Sequence, residues 1–284
     1  VSSRSVGFVP SYIKLCSETP KQSIKTGLIL HGLMGHAGNW LAPAKKLLEQ
    51  ADSLDFGLEL YLVHTRHHGD STLNSFQPSG PNTISSCAQD LINLCDTELS
   101  CPPHFVIGHS LGGKIALEYA KQAFVPPSRV LCLDSFPSII PPDFENNTPK
   151  GNVESISATE LLQLPGKIPL PIKGEDWLKR YLLKKGYSLP LSIWLSKNIR
   201  EKENSGEYEW KFNIKELPSI YESYTNLCMW DTLQHPPEGC SIDFLRGELS
   251  SRWTKETISE FEDRIKNTPN TSLIELKDAG HWMH

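Results

Sequence analysis

The stretch VIGHSLGGKIALEYA, Val106 to Ala120, decides the fold. It joins an apolar run to a helical pattern through a serine flanked by glycines. Glycine weakens both strands and helices, so its concentration at such a junction needs a physical reason. One reason is a bend so tight that only glycine tolerates the surrounding backbone contacts. Gly108-His109-Ser110-Leu111-Gly112 fits the G-x-S-x-G pattern of a nucleophile elbow, in which the serine hydroxyl stands above a sheet edge at a helix N-terminus. The pattern alone recurs by chance, and the alternative is an ordinary strand-to-helix turn with an incidental serine. The neighbouring sequence has to decide between them.

Working outward, short unbroken apolar runs at 27–32 (GLILHG), 58–64 (LELYLVH), 104–108 (HFVIG) and 129–134 (RVLCLD) predict strands buried on both faces. Helical periods separate them. Leu41, Ala44, Leu47, Leu48 and Ala51 share one face of 39–51, as do Ile84, Ala88, Leu91, Leu94 and Cys95 within 83–99. A third helix follows the serine from Gly112 to Ala123. Alternation of this kind predicts an α/β fold, a mostly parallel twisted sheet flanked by helices. From Ser135 to about Gln234 the rhythm gives way to nine prolines and short amphipathic pieces such as EDWLKRYLLKKG and LSIWLSKNI. It then resumes with CSIDFLRG, a helix at TKETISEFEDRIKN and a last strand in TSLIELKDAGHW. We expect one domain, with residues 1–134 and 235–284 forming the core and 135–234 a helical cap or lid.

Composition narrows the function. A length of 284 residues suffices for a well-buried core, and a net charge of −5 argues against nucleic acid as the main partner. Small molecules or acyl groups fit this composition better. The seven cysteines are scattered singly, with no C-x-x-C pair or Cys/His cluster at metal-ligand spacing. Their number and spread fit a reduced intracellular compartment, cytoplasmic or organellar, mitochondrion or plastid included. No run reaches the length of a transmembrane segment, and the first residues carry no signal-peptide pattern.

A serine hydroxyl needs a base to take its proton and an acid to orient that base. His281 in DAGHWMH follows the last predicted strand, where a loop can return it to the elbow. His284 lacks a preceding strand-to-glycine turn. For the acid, Asp134 ends the strand RVLCLD, 24 positions past Ser110, at the carboxyl edge of the sheet. An aspartate there can also merely cap a turn. Glu248 in RGELSSRW is the reserve, with Asp243 behind it, and Ser250 stands where an aspartate is often found. An oxyanion needs backbone donors. The N–H of Leu33, or of Met34 beside it in HGLMG, should pair with that of Leu111. His31 and His109 read as structural. Trp177, Tyr181, Trp194, Trp210, Phe212 and Trp230 are candidates for an acyl channel and, more ordinarily, for the packing core of the insertion.

Together HGLMGHAGNW, TRHHGDS, GHSLGGKIALEYA, LCLDSFP, YEWKFNI, FLRGELS and AGHWMH give a sequence that resembles the α/β-hydrolase superfamily. Within it, their order is similar to the α/β-hydrolase domain-containing protein 11 family and its small bacterial esterase relatives, from about Leu28 to His284. The resemblance implies an α/β-hydrolase fold with the helical cap after the sixth strand. It also implies serine esterase activity on acyl esters or thioesters without a cofactor, and an acid at the end of the strand after the elbow helix, the position of Asp134. Thr65 and His68 depart from the aspartate and asparagine usual in that family, and the expected helix after His281 is missing. The cap is longer than in the small bacterial members. On one such scaffold thioesterase, acyltransferase and lyase chemistry are all possible, as is a non-catalytic ligand-binding or protective role.

Overall fold

The computed structural model describes residues 7–18, 21–51, 53–141, 156–203 and 205–283. Strand β1 (Tyr12–Cys16) is followed by β2 (Ile24–Leu30), α1 (Leu41–Ala51), β3 (Gly57–Val63), α2 (Ile84–Glu98), β4 (Phe105–His109), α3 (Leu111–Gln122) and β5 (Arg129–Leu133). Between β5 and the next sheet strand lie α4 (Ala158–Gln163), α5 (Glu175–Lys184), α6 (Leu189–Ser196), a hairpin of β6 (Ile199–Glu201) and β7 (Tyr208–Trp210), α7 (Leu217–Asn226) and α8 (Trp230–Gln234). The chain closes with β8 (Ser241–Gly247), α9 (Lys255–Ile265) and β9 (Thr271–Leu276). Among the described residues the insertion therefore follows the fifth strand in chain order, not the sixth.

The seven-stranded sheet runs β1-β3-β2-β4-β5-β8-β9, parallel throughout except for β1, which pairs antiparallel with β3. Its direction of growth reverses between β2 and β4. Ligands of open α/β sheets bind beside such a reversal, outside the carboxyl ends of the strands, and here those ends are Leu30 and His109.

The two-residue alternation of the strands explains why their apolar runs are unbroken. Leu28, Leu30, Val106 and Val130 face α2 and α3 on one side, while Ile29, Leu60 and Leu62 face Trp40 and Ala44 on the other. Helix α2 begins where Thr83 Oγ1 accepts from Ser86 N–H at 3.1 Å, satisfying an N-terminal donor that would otherwise lack a partner. Leu178, Leu195, Leu217 and Ile220 of the insertion join the larger core cluster, so the insertion packs onto the core instead of standing apart. No helix among the described residues is long and apolar enough to cross a membrane.

Strand β1 and the β6–β7 hairpin escape the sequence reading. The first is a half-exposed edge strand and the second has three residues a side, too short for either to set a period. The last strand ends at Leu276, well before His281, which frees the chain to loop back.

Candidate active site

The elbow is built by steric exclusion. A Cβ at Gly108 would lie 2.1 Å from Gly112 O, and one at Gly112 would lie 2.7 Å from His31 O. Strand, helix and neighbouring loop therefore meet at backbone contact, and Ser110 takes φ 52° on the bend. Its N–H donates to Leu133 O at 2.8 Å, and its carbonyl accepts from Ser135 Oγ at 2.8 Å. Both bonds tie the strained residue to the neighbouring strand.

Asp134 follows β5 with φ 42° and is 1 % exposed. Its carboxylate accepts three hydrogen bonds: Gly247 N–H at 3.2 Å, Ser250 Oγ–H at 2.6 Å and His281 Nδ1–H at 2.6 Å. Burial alone would raise its pKa, but the His281 contact, the Ser250 hydroxyl and the charge of Arg252 hold it below the ordinary carboxylate value. His281 is pushed below the usual imidazole value by burial first and by Arg252 second, with Asp134 opposing both. A proton on Nδ1 leaves Nε2 as the basic nitrogen. His109 Nε2–H donates to His281 O at 2.9 Å, so the elbow also grips the backbone of the returning loop.

Ser110 and His281 line one cavity of about 40 Å³. Leu33 and Leu111 stand on its wall, and from the insertion come Ala158, Leu161, Tyr221 and Tyr224. Leu111 opens α3, where its N–H has no carbonyl of the helix to bond. Met34, the neighbouring candidate donor, is engaged: its N–H donates to His68 Nε2 at 3.1 Å.

The reserve acids lie in other contacts. Glu248 is exposed, and its carboxylate accepts Asp278 N–H at 3.0 Å. Asp243 pairs with Arg129 and accepts from Ser272 Oγ. Among the described residues, none of the six insertion aromatics named from sequence lines this cavity. Trp177 stacks on Tyr181 at 5.5 Å, Trp210 on Phe212 at 5.2 Å, Trp230 meets Phe261 at 5.4 Å and Trp194 meets Trp282 at 4.6 Å, so they serve as packing. His284 lies outside the described residues.

The departures in TRHHGDS are absorbed locally. Thr65 N–H donates to His31 Nε2 at 3.2 Å, and Arg66 forms a bidentate pair with Asp90 at 2.7 and 2.8 Å. Arg252, Tyr221, Tyr224 and Trp282 are cavity residues that the sequence reading did not reach. They sit in loops and in the proline-rich insertion, where no periodicity points inward.

The fold and cavity define a hydrolase scaffold, and a family profile described as alpha/beta hydrolase matches residues 28–284. The chain belongs to the alpha/beta hydrolase family. It is similar to the sn-1-specific diacylglycerol lipase ABHD11 of Danio rerio, with 25% identity over 262 residues, 90% of this chain and 73% of that protein. The Mus musculus protein of the same name is 25% identical over 259 residues, 90% and 75% of the two chains. Among solved structures, a marine microorganism esterase superimposes with a TM-score of 0.71 at 22% identity, covering 97% of this chain and 94% of that one.

Proposed function

We propose that this protein is a serine hydrolase that cleaves carboxylic esters through an acyl-enzyme. The supporting observation is the 2.6 Å contact of His281 with Asp134 beside a cavity that Ser110 shares. Ser110 Oγ attacks the acyl carbonyl while His281 Nε2 takes its proton. Asp134 holds the imidazole in that tautomer and stabilises its charged form. The N–H groups of Leu33 and Leu111 receive the oxyanion, and the alcohol leaves with the proton from His281. Water, deprotonated by the same nitrogen, then releases the acid. Residues 135–234 act as the lid that shapes the acyl site, and no cofactor takes part. The likeness to lipases named for diacylglycerol favours lipid esters among the substrates, with acyl thioesters as the neighbouring class. The setting is intracellular, in the cytoplasm or an organelle.

A fluorophosphonate probe, followed by an acyl-length series of esters and matched thioesters, tests this reading. Labelling and turnover by the wild type, both lost in Ser110→Ala, are expected. Ester cleavage by Ser110→Ala at the wild-type rate would end the proposal.

A further inference from the structure

Arg252 brings a permanent charge to a cavity whose other described walls are mainly apolar and aromatic. The main chain at Arg252 is held on both sides. Arg252 N–H donates to Ser250 Oγ at 3.4 Å, the same hydroxyl that donates to Asp134, and the next residue, Trp253, is buried against Phe136, Phe244 and Phe261. Arg252 is half-buried, and its guanidinium makes no ion pair or hydrogen bond among the described residues. Asp134 feels its charge but already accepts three donors, from Gly247, Ser250 and His281. Arginine presents five N–H donors in a planar fork suited to carboxylate and phosphate. An unpaired fork of this kind beside the nucleophile is an incomplete recognition site.

We infer that Arg252 selects substrates whose ester group lies within a few carbons of an anionic group, carboxylate or phosphate. The inference rests on the hydrolase reading above and names the substrate class for it. A neutral ester bound at Ser110 leaves the guanidinium without a partner. An anionic ester completes it and gains a charge-assisted contact in both the bound and the transition state. The gain therefore falls chiefly on KM.

Two matched pairs test it and separate the sources of charge. Monoethyl adipate against ethyl hexanoate places a carboxylate on the acyl side. Hexanoyl glycerol phosphate against hexanoyl glycerol places a phosphate on the alcohol side. In the wild type, kcat/KM is expected to favour the charged member of at least one pair about tenfold. Arg252→Gln should bring that ratio to about one through KM, and Arg252→Lys should retain part of it. A wild-type ratio near one in both pairs, or a preference unchanged in Arg252→Gln, overturns the inference. If the wild type cleaves none of the four, calorimetric titration of the Ser110→Ala protein with the same compounds decides. Arg252-dependent preference for the anions then supports the anion site apart from the hydrolase reading, which the fluorophosphonate test decides, while equal binding discards the site.

Discussion

The carboxyl edge of the sheet and the inserted segment meet at one cavity, yet their backbones are held differently. Every described non-glycine residue with positive φ, namely Met34, His67, Ser110, Asp134 and Asp278, lies within four residues of the end of a sheet strand. Within the described insertion, positive φ belongs to Gly174, Gly186 and Gly206 alone. Strained non-glycine conformations persist only where their surroundings over-determine them, and the sheet supplies that rigidity. The insertion is instead fastened by long basic side chains that reach across the seam. Lys114 in α3 is fully buried and donates to Ser138 O, Tyr224 O and Leu227 O at 2.8, 2.7 and 2.6 Å. Arg200 in β6 donates to Gly69 O and Thr72 Oγ1 at 3.2 and 2.8 Å while pairing with Glu209. Precision thus belongs to the sheet edge and attachment to the insertion.

The largest effect is expected from Asp134→Asn, which leaves packing in place and spoils the imidazole tautomer. Ester turnover should fall by about 10⁴-fold with little change in melting temperature. A change of less than tenfold would move the acid elsewhere. Lys114→Met strikes the attachment. It removes the shared donor of three carbonyls and should lower unfolding free energy by about 3 kcal/mol, read by urea titration. An unchanged midpoint would mean that apolar packing alone holds the insertion. Arg200→Ala should cost less, about 1 kcal/mol, and speed amide exchange in the β6–β7 hairpin while leaving the central sheet protected. The smallest effect concerns protons. Burial and Arg252 hold the His281 pKa below the ordinary imidazole value, so the acid limb of kcat/KM should lie below that of a free imidazole. Arg252 disfavours the imidazolium, so Arg252→Gln should move the limb upward; a downward move would contradict this placement of the charge.

What the sequence discloses follows the same division. Buried parallel strands leave continuous apolar runs and helices leave periods, so β2 to β5, β8 and α1 to α3 are readable from residues alone. Ser110 is readable because glycine marks the contacts a side chain would block. The arrangement of Asp134 and Ser250 is not, because it depends on two loops meeting across 116 positions of chain. Ser250 occupies the place where an aspartate is often found and here donates to the carboxylate supplied by β5. The cavity face of the insertion is equally silent, since Tyr221 and Tyr224 look like core aromatics until the chain is folded.

The bond from Met34 N–H to His68 Nε2 leaves only one tautomer of that ring compatible with the loop, with hydrogen on Nδ1 facing Arg66 O at 2.8 Å. Burial lowers the His68 pKa to about 4, so the ring stays neutral far into acid. The turn that carries Leu33 is thus a template insensitive to ordinary acidity. A neutral ring, and not a charged one, sets its shape.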